Sequence, residues 1–255
     1  MAVDPSLLVL GFGIFLRAGA FLFLLPMFGR PVPLQVRAGL ALLVAVLLVP
    51  VAEAGPGLSA SMSFLPLALL AVRELFIGFV MGYAVQVVFY TCQVAGRLIS
   101  MEMGLLQSNL FNPLLRQQET VLGTGLTMMT IVLIFVLNIH HEVLLAFARS
   151  LQLLPVGLEA PGGAGAETVV RTVGKIFLLA VQMAAPLIAV NFIVTLAFAI
   201  LGRAVPTVNV LILSFGVRIL VGFAVLILVL VVVAQFLLGE IQATPERMLQ
   251  FLPFR

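Results

Sequence analysis

Charge is what this sequence has least of. Its 13 basic and 10 acidic residues are spread over 255 positions, or 9% of the chain, where a soluble domain carries about 25%. With 63% hydrophobic residues, no water-soluble surface can be assembled, which excludes soluble enzymes, disordered tails and nucleic-acid modules. Lysine is nearly absent: Lys175 stands alone, so there is no Lys/Arg cluster for nucleic acid or acidic lipid and no lysine for a phosphate-binding loop. A single cysteine, Cys92, lies inside an apolar run. It excludes an intrachain disulfide and reads as a small buried hydrophobe.

Histidine is almost as scarce. His140-His141-Glu142 invites a zinc-protease reading, but that motif needs a second histidine at 145, where Leu145 stands. Two adjacent histidines also point different ways on a helix. They read as an interfacial polar patch ending a membrane span. Gly123-Thr124-Gly125 lacks the third glycine of a dinucleotide loop and reads as a flexible spot. No Gly-x-Ser-x-Gly is present. Catalytic residues, metal ligands and cofactor sites are therefore expected to be none.

What the sequence has in abundance is long apolar runs. Six stand out: Ser6–Gly29, Ala38–Ala52, Phe64–Ala95, Val121–Ile139, Val173–Leu201 and Val208–Leu238. They are apolar on every face, and in lipid the alternative to a helix is a barrel strand with strict alternation, which they lack. The fold class is an all-α membrane protein of about six apolar helical segments with a C-terminal helical hairpin. The second run has 15 residues, about 22 Å of helix, while the third, fifth and sixth reach roughly 43–48 Å. A bilayer core is ~30 Å thick, so several segments are overlong, bent or out of plane. Pro26, Pro50, Pro66 and Pro186 mark possible breaks. Asp4 and the absence of Lys or Arg before it point to a retained first span, although Ala18-Gly19-Ala20 imitates a signal-peptidase site.

Arg17, Arg73, Glu74 and Arg218 lie well inside apolar runs. Placing such a charge in lipid costs at least ~2.5–3.5 kcal/mol, so each must face a partner or water. Two readings follow: the runs extend beyond the membrane, or other subunits supply partners. The pairs expected are Arg17 with Glu74, or Arg218 with a carboxylate of another chain. Gly78 and Gly82 form a small-xxx-small face for close helix packing. Between the third and fourth runs, Met101, Met103, Leu105, Leu106 and Phe111 alternate with Gln107, Ser108, Asn109 and Asn112, and Pro113 interrupts. This connector is too polar to span and too apolar to be a solvated loop. Soft Met and bulky Phe suit a deformable seal.

An ordered set of short motifs then connects the chain to a known family. Phe15-Leu16-Arg17, Pro26-Met27-Phe28-Gly29, Pro33 and Arg37-Ala38-Gly39-Leu40 come first. Arg73-Glu74-Leu75-Phe76-Ile77-Gly78, Gly96, Ile99, Met103-Gly104 and Phe111-Asn112-Pro113 follow, then Leu154-Pro155-Val156-Gly157, the turn Leu201 to Pro206, and Asn209. The chain resembles the FliR family of flagellar type III export-gate proteins, whose injectisome counterparts form the SctT family. The resemblance implies a subunit that joins FliP- and FliQ-type partners, with a FlhB-type subunit, around a central pore in the bacterial inner membrane at the flagellar basal body. It implies a FliP-like part over 1–172, a FliQ-like hairpin over 173–238 and a tail over 239–255. It also implies a pore plug at about 106–122, carried by Leu106, Phe111, Asn112 and Pro113. Gly202, Arg203, Pro206 and Asn209 would form the hairpin turn and contact partners. The passengers would be unfolded exported proteins, and nucleic acid would have no role. The competing reading is a self-contained small-solute transporter, which would bind its substrate at the midplane between paired repeats; no such repeat is evident in the sequence.

Overall fold

The structure is a computed structural model that describes residues 5–28, 32–55, 58, 63–107, 120–157, 164–207 and 209–252. The described elements are α1 (Pro5–Leu24), α2 (Leu34–Leu48), α3 (Phe64–Glu102), α4 (Val121–Val136), α5 (Ile139–Leu153), α6 (Ala164–Ala204), α7 (Val210–Gln242) and α8 (Thr244–Gln250). Short 3₁₀ turns occupy Pro26–Phe28 and Leu105–Gln107. Among the described residues there is no strand, only an isolated bridge between Ala54 and Val156. The fold is all-α, as a chain with apolar residues on every helix face requires in lipid.

Among the described residues four helices are long and apolar enough to cross a membrane, or five if the bent pair α4–α5 counts as one span. At 1.5 Å per residue, the 39 residues of α3 extend about 58 Å, the 41 of α6 about 61 Å and the 33 of α7 about 50 Å. All exceed a ~30 Å hydrocarbon core. Pro186 lies inside α6 without ending it, although the sequence marks it as a break. The cost of a proline in a helix is one missing donor and a local clash, and a membrane helix can absorb both.

The fourth run ends at a corner, and a further helix, α5, follows beyond it from Ile139. The axis bends by 77° between α4 and α5, and Asn138 at the corner adopts a left-handed backbone with φ 59°. Asparagine is among the few non-glycine residues that tolerate this region. Beyond the corner, α5 buries Val143, Ala146, Phe147, Ser150 and Leu151 on one stripe, at the spacing of an amphipathic helix. His140 and His141 sit in its first turn with ring centroids 4.1 Å apart. At the C-terminal end the sequence places the turn from Gly202, but α6 stays helical through Ala204. Val205, Pro206 and Thr207 follow its end, and α7 starts at Val210.

The chain divides into two compact units. The first comprises residues 1–87, 134–171 and 242–255. Its core joins Leu10 and Ile14 of α1, Ala45 of α2, Leu70 of α3, Leu151 of α5 and Val156. Phe21 stacks on Phe147 with centroids 4.9 Å apart. The second unit comprises 88–133 and 172–241. There Cys92 is buried with its sulfur 3.1 Å from Thr130 Oγ1. A Cβ on Gly96 would overlap the backbone of Gly123, so Gly123 serves close packing rather than flexibility. The sequence-based boundaries at 172/173 and 238/239 fall inside α6 and α7.

Candidate functional site

The most constrained polar group in the first unit is Arg17, which is completely buried, as is Glu74. Arg17 Nε donates to Glu74 Oε2 at 2.6 Å. Nη1 donates to the Ser150 carbonyl at 3.2 Å and Nη2 to the Leu154 carbonyl at 2.9 Å. Those two carbonyls belong to the last turn and cap of α5, where the helix dipole is negative; the Ser150 carbonyl also accepts from the Leu154 amide at 2.9 Å, while that of Leu154 has no following helical amide. From a position on α1 the guanidinium thus binds the C-terminal end of α5 and one carboxylate oxygen of α3, the other oxygen, Glu74 Oε1, being buried without a hydrogen-bond partner among the described residues. Such charge-assisted bonds are the stronger kind. They hold three helices to one side chain.

The close approach that the pair needs comes from glycine. Glu74, Gly78 and Gly82 follow at intervals of four and share a face of α3. A Cβ on Gly78 would overlap the carbonyl oxygen of Arg17, and one on Gly82 would come within 2.8 Å of Leu24 Cβ. Glycine at both positions lets the α1 backbone lie against α3. Arg73, one position before Glu74, is half-buried and points about 100° away from it around the helix.

In the second unit Arg218 is half-buried on α7, and its Nε is shielded from solvent without a hydrogen-bond acceptor among the described residues. In the hairpin turn, Arg203, Pro206 and Asn209 are exposed. Asn209 Oδ1 accepts from the Ile212 amide at 3.4 Å, the bond of a helix N-cap. A Cβ on Gly202 would sit 3.3 Å from Val210 Cγ2, so the start of α7 lies close beside the end of α6. Leu106 is half-buried in the Leu105–Gln107 turn. Phe111, Asn112 and Pro113 lie outside the described residues, as does most of the 106–122 segment.

The residues that sequence reasoning missed are Ser150 and Leu154, which contribute backbone carbonyls. No side-chain pattern announces a carbonyl. The signal that could have found them is the apolar stripe of 143–151, which predicts a separate amphipathic helix ending where an arginine could cap it. Among the described residues no three His, Cys, Asp or Glu side chains group as a metal site would need.

Long apolar helices, with α1 and α3 tied by a desolvated ion pair, define a polytopic helical membrane protein. Residues 8–244 match the bacterial export proteins, family 1, and the chain belongs to that family. It is a membrane protein of bacterial export, not an enzyme. It is similar to the flagellar biosynthetic protein FliR of Bacillus subtilis (strain 168), 29% identical over 243 residues that cover 94% of this chain and 93% of the relative. The flagellar biosynthetic protein FliR of Caulobacter vibrioides is 28% identical over 218 residues, covering 84% of this chain and 86% of the relative. The Yop proteins translocation protein T of Yersinia pestis is 26% identical over 154 residues, covering 60% of this chain and 59% of the relative.

Proposed function

We propose that this chain is a structural, pore-forming subunit of the flagellar type III protein export gate. It sits in the bacterial inner membrane at the basal body and assembles there with FliP-, FliQ- and FlhB-type subunits. Family membership supports the export role, and the near full-length coverage by FliR relatives favours the flagellar system over the injectisome. The observation that carries assembly is the nakedness of the last two long helices. Only 17% of the most apolar stretch of α6 and 6% of that of α7 is buried within the chain. A bilayer can cover ~30 Å of each, and the remainder needs other protein. The parts 1–172, 173–238 and 239–255 are then a FliP-like body, a FliQ-like hairpin and a tail, with partner contacts at Gly202, Arg203, Pro206 and Asn209.

In the same reading, the segment 106–122 closes the channel at rest, with Leu106, Phe111, Asn112 and Pro113 in the seal. A passage wide enough for an unfolded chain leaks ions unless blocked, and apolar side chains block by excluding water. Pro113 limits regular helix that would lock the segment in place. Shortening 106–115 to a few glycines should leave the assembly intact and ion-permeable, read as conductance across a planar bilayer containing the purified complex. A shortened complex as tight as the parent places the seal elsewhere.

A further inference from the structure

Three features of the second unit meet where α3 ends and the 104–120 segment begins. Asn191, midway along α6, donates from Nδ2 to the backbone carbonyl of Glu102 and to Glu102 Oε2, both at 2.7 Å. That carbonyl lies at the end of α3, where no following helical amide is available to it. The next residue, Met103, is buried against α7 at Gly222, where a Cβ would come within 3.0 Å of Met103 Cε. Gly104 then turns the chain off the helix with φ 76°, the left-handed exit that suits glycine. Glu102, Met103, Asn191, Arg218 and Gly222 line one small cavity of about 10 Å³, room for a single water. The shielded Nε of Arg218 lies at the same place.

We propose that Asn191, with the Met103–Gly222 seat, is a latch that fixes the root of the 104–120 segment, and that Arg218 holds the Glu102 carboxylate electrostatically across the cavity. An ordinary helix contact would be made by apolar side chains along the helix bodies. Here the single amide of Asn191 takes two acceptors of one terminal residue, its carbonyl and one carboxylate oxygen, where the chain leaves the helix. The consequence is positional. With the latch made, Glu102 and Met103 are held against α6 and α7; with it broken, the last turn of α3 and the 104–107 turn are released. The inference rests on the plug reading for its purpose, but the geometry of the latch does not depend on what the segment seals.

The test reads the root directly. A reporter cysteine replaces Leu106 in the full chain carrying Cys92→Ala, in membranes from cells that make the whole export apparatus, and its maleimide labelling rate is measured. Asn191→Leu removes both hydrogen bonds, and labelling should rise about tenfold, the shift that losing about 1.4 kcal/mol of hydrogen bonding produces. Gly222→Ala, which forces Met103 from its seat, should act in the same direction and serves if Asn191→Leu does not accumulate. Unchanged labelling in the variant that accumulates overturns the latch. Faster labelling without added conductance keeps the latch and removes the plug. Conductance that rises on shortening 106–115, with labelling indifferent to Asn191 and Gly222, does the reverse.

Discussion

At the scale of single residues, Arg17 shows how a costly group becomes structural. A guanidinium in an apolar run is unfavourable alone, yet here every nitrogen faces an acceptor: the Glu74 carboxylate, Ser150 and Leu154. Glu74→Ala would leave the cation buried with carbonyls only, and breaking such a pair typically costs about 3–5 kcal/mol. The expected outcome is a marked fall in full-length protein and in assembled complex, measured by quantitative immunoblot of membranes and native gels. Normal yield of both would show that the pair is dispensable. Arg17→Met combined with Glu74→Leu should recover only part of the loss, because the Leu154 carbonyl then has no donor and that of Ser150 keeps only the Leu154 amide. The sequence made the Arg17 and Glu74 pairing readable, since both are isolated charges in apolar surroundings. It could not reveal the carbonyl half of the site, because backbone acceptors carry no residue signature.

At the scale of elements, interhelix distance is set by small residues more than by the large ones around them. Gly78→Ala would drive a methyl into the Arg17 carbonyl, and overpacking of this kind costs about 1–3 kcal/mol. Gly174→Ala on α6 meets nothing within 4 Å and should be neutral or gain up to about 1 kcal/mol from helix propensity. Thermal unfolding in detergent of the complex co-produced with FliP- and FliQ-type subunits should therefore separate the two variants, with Gly78→Ala lower and Gly174→Ala at or above the parent. Equal midpoints would mean that α1 moves aside freely. Helix existence was legible along most of the chain because the runs are apolar throughout and long. The end of the fourth run near Ile139 was legible from the two histidines, but the 77° corner at Asn138 was not, since an asparagine in an apolar stretch signals a corner only once its left-handed backbone is seen. Nor was the extension of α6 back to Ala164, where charged and small residues mask the helical period.

At the scale of the whole molecule, the chain buries its ion pair but not its longest helices. Produced alone it should aggregate in detergent, and co-production with FliP- and FliQ-type subunits should yield a monodisperse complex by size-exclusion chromatography. A well-behaved lone monomer would favour the transporter reading instead. This much was legible from helix lengths that outrun a bilayer. The division into two discontinuous units was not, because segments distant in sequence combine in each. The placement of Arg17 also has a consequence for synthesis. Its carboxylate partner is 57 residues later in the chain and its carbonyl partners 133 and 137 residues later. At about 5–20 residues per second, Arg17 leaves the ribosome roughly 3–11 s before Glu74 does and longer still before α5. Throughout that interval the arginine is owed a partner that has not been made. The first helix is thus held provisionally by the insertion machinery or at the membrane surface, and it becomes a settled span only when the middle of the chain arrives to receive it.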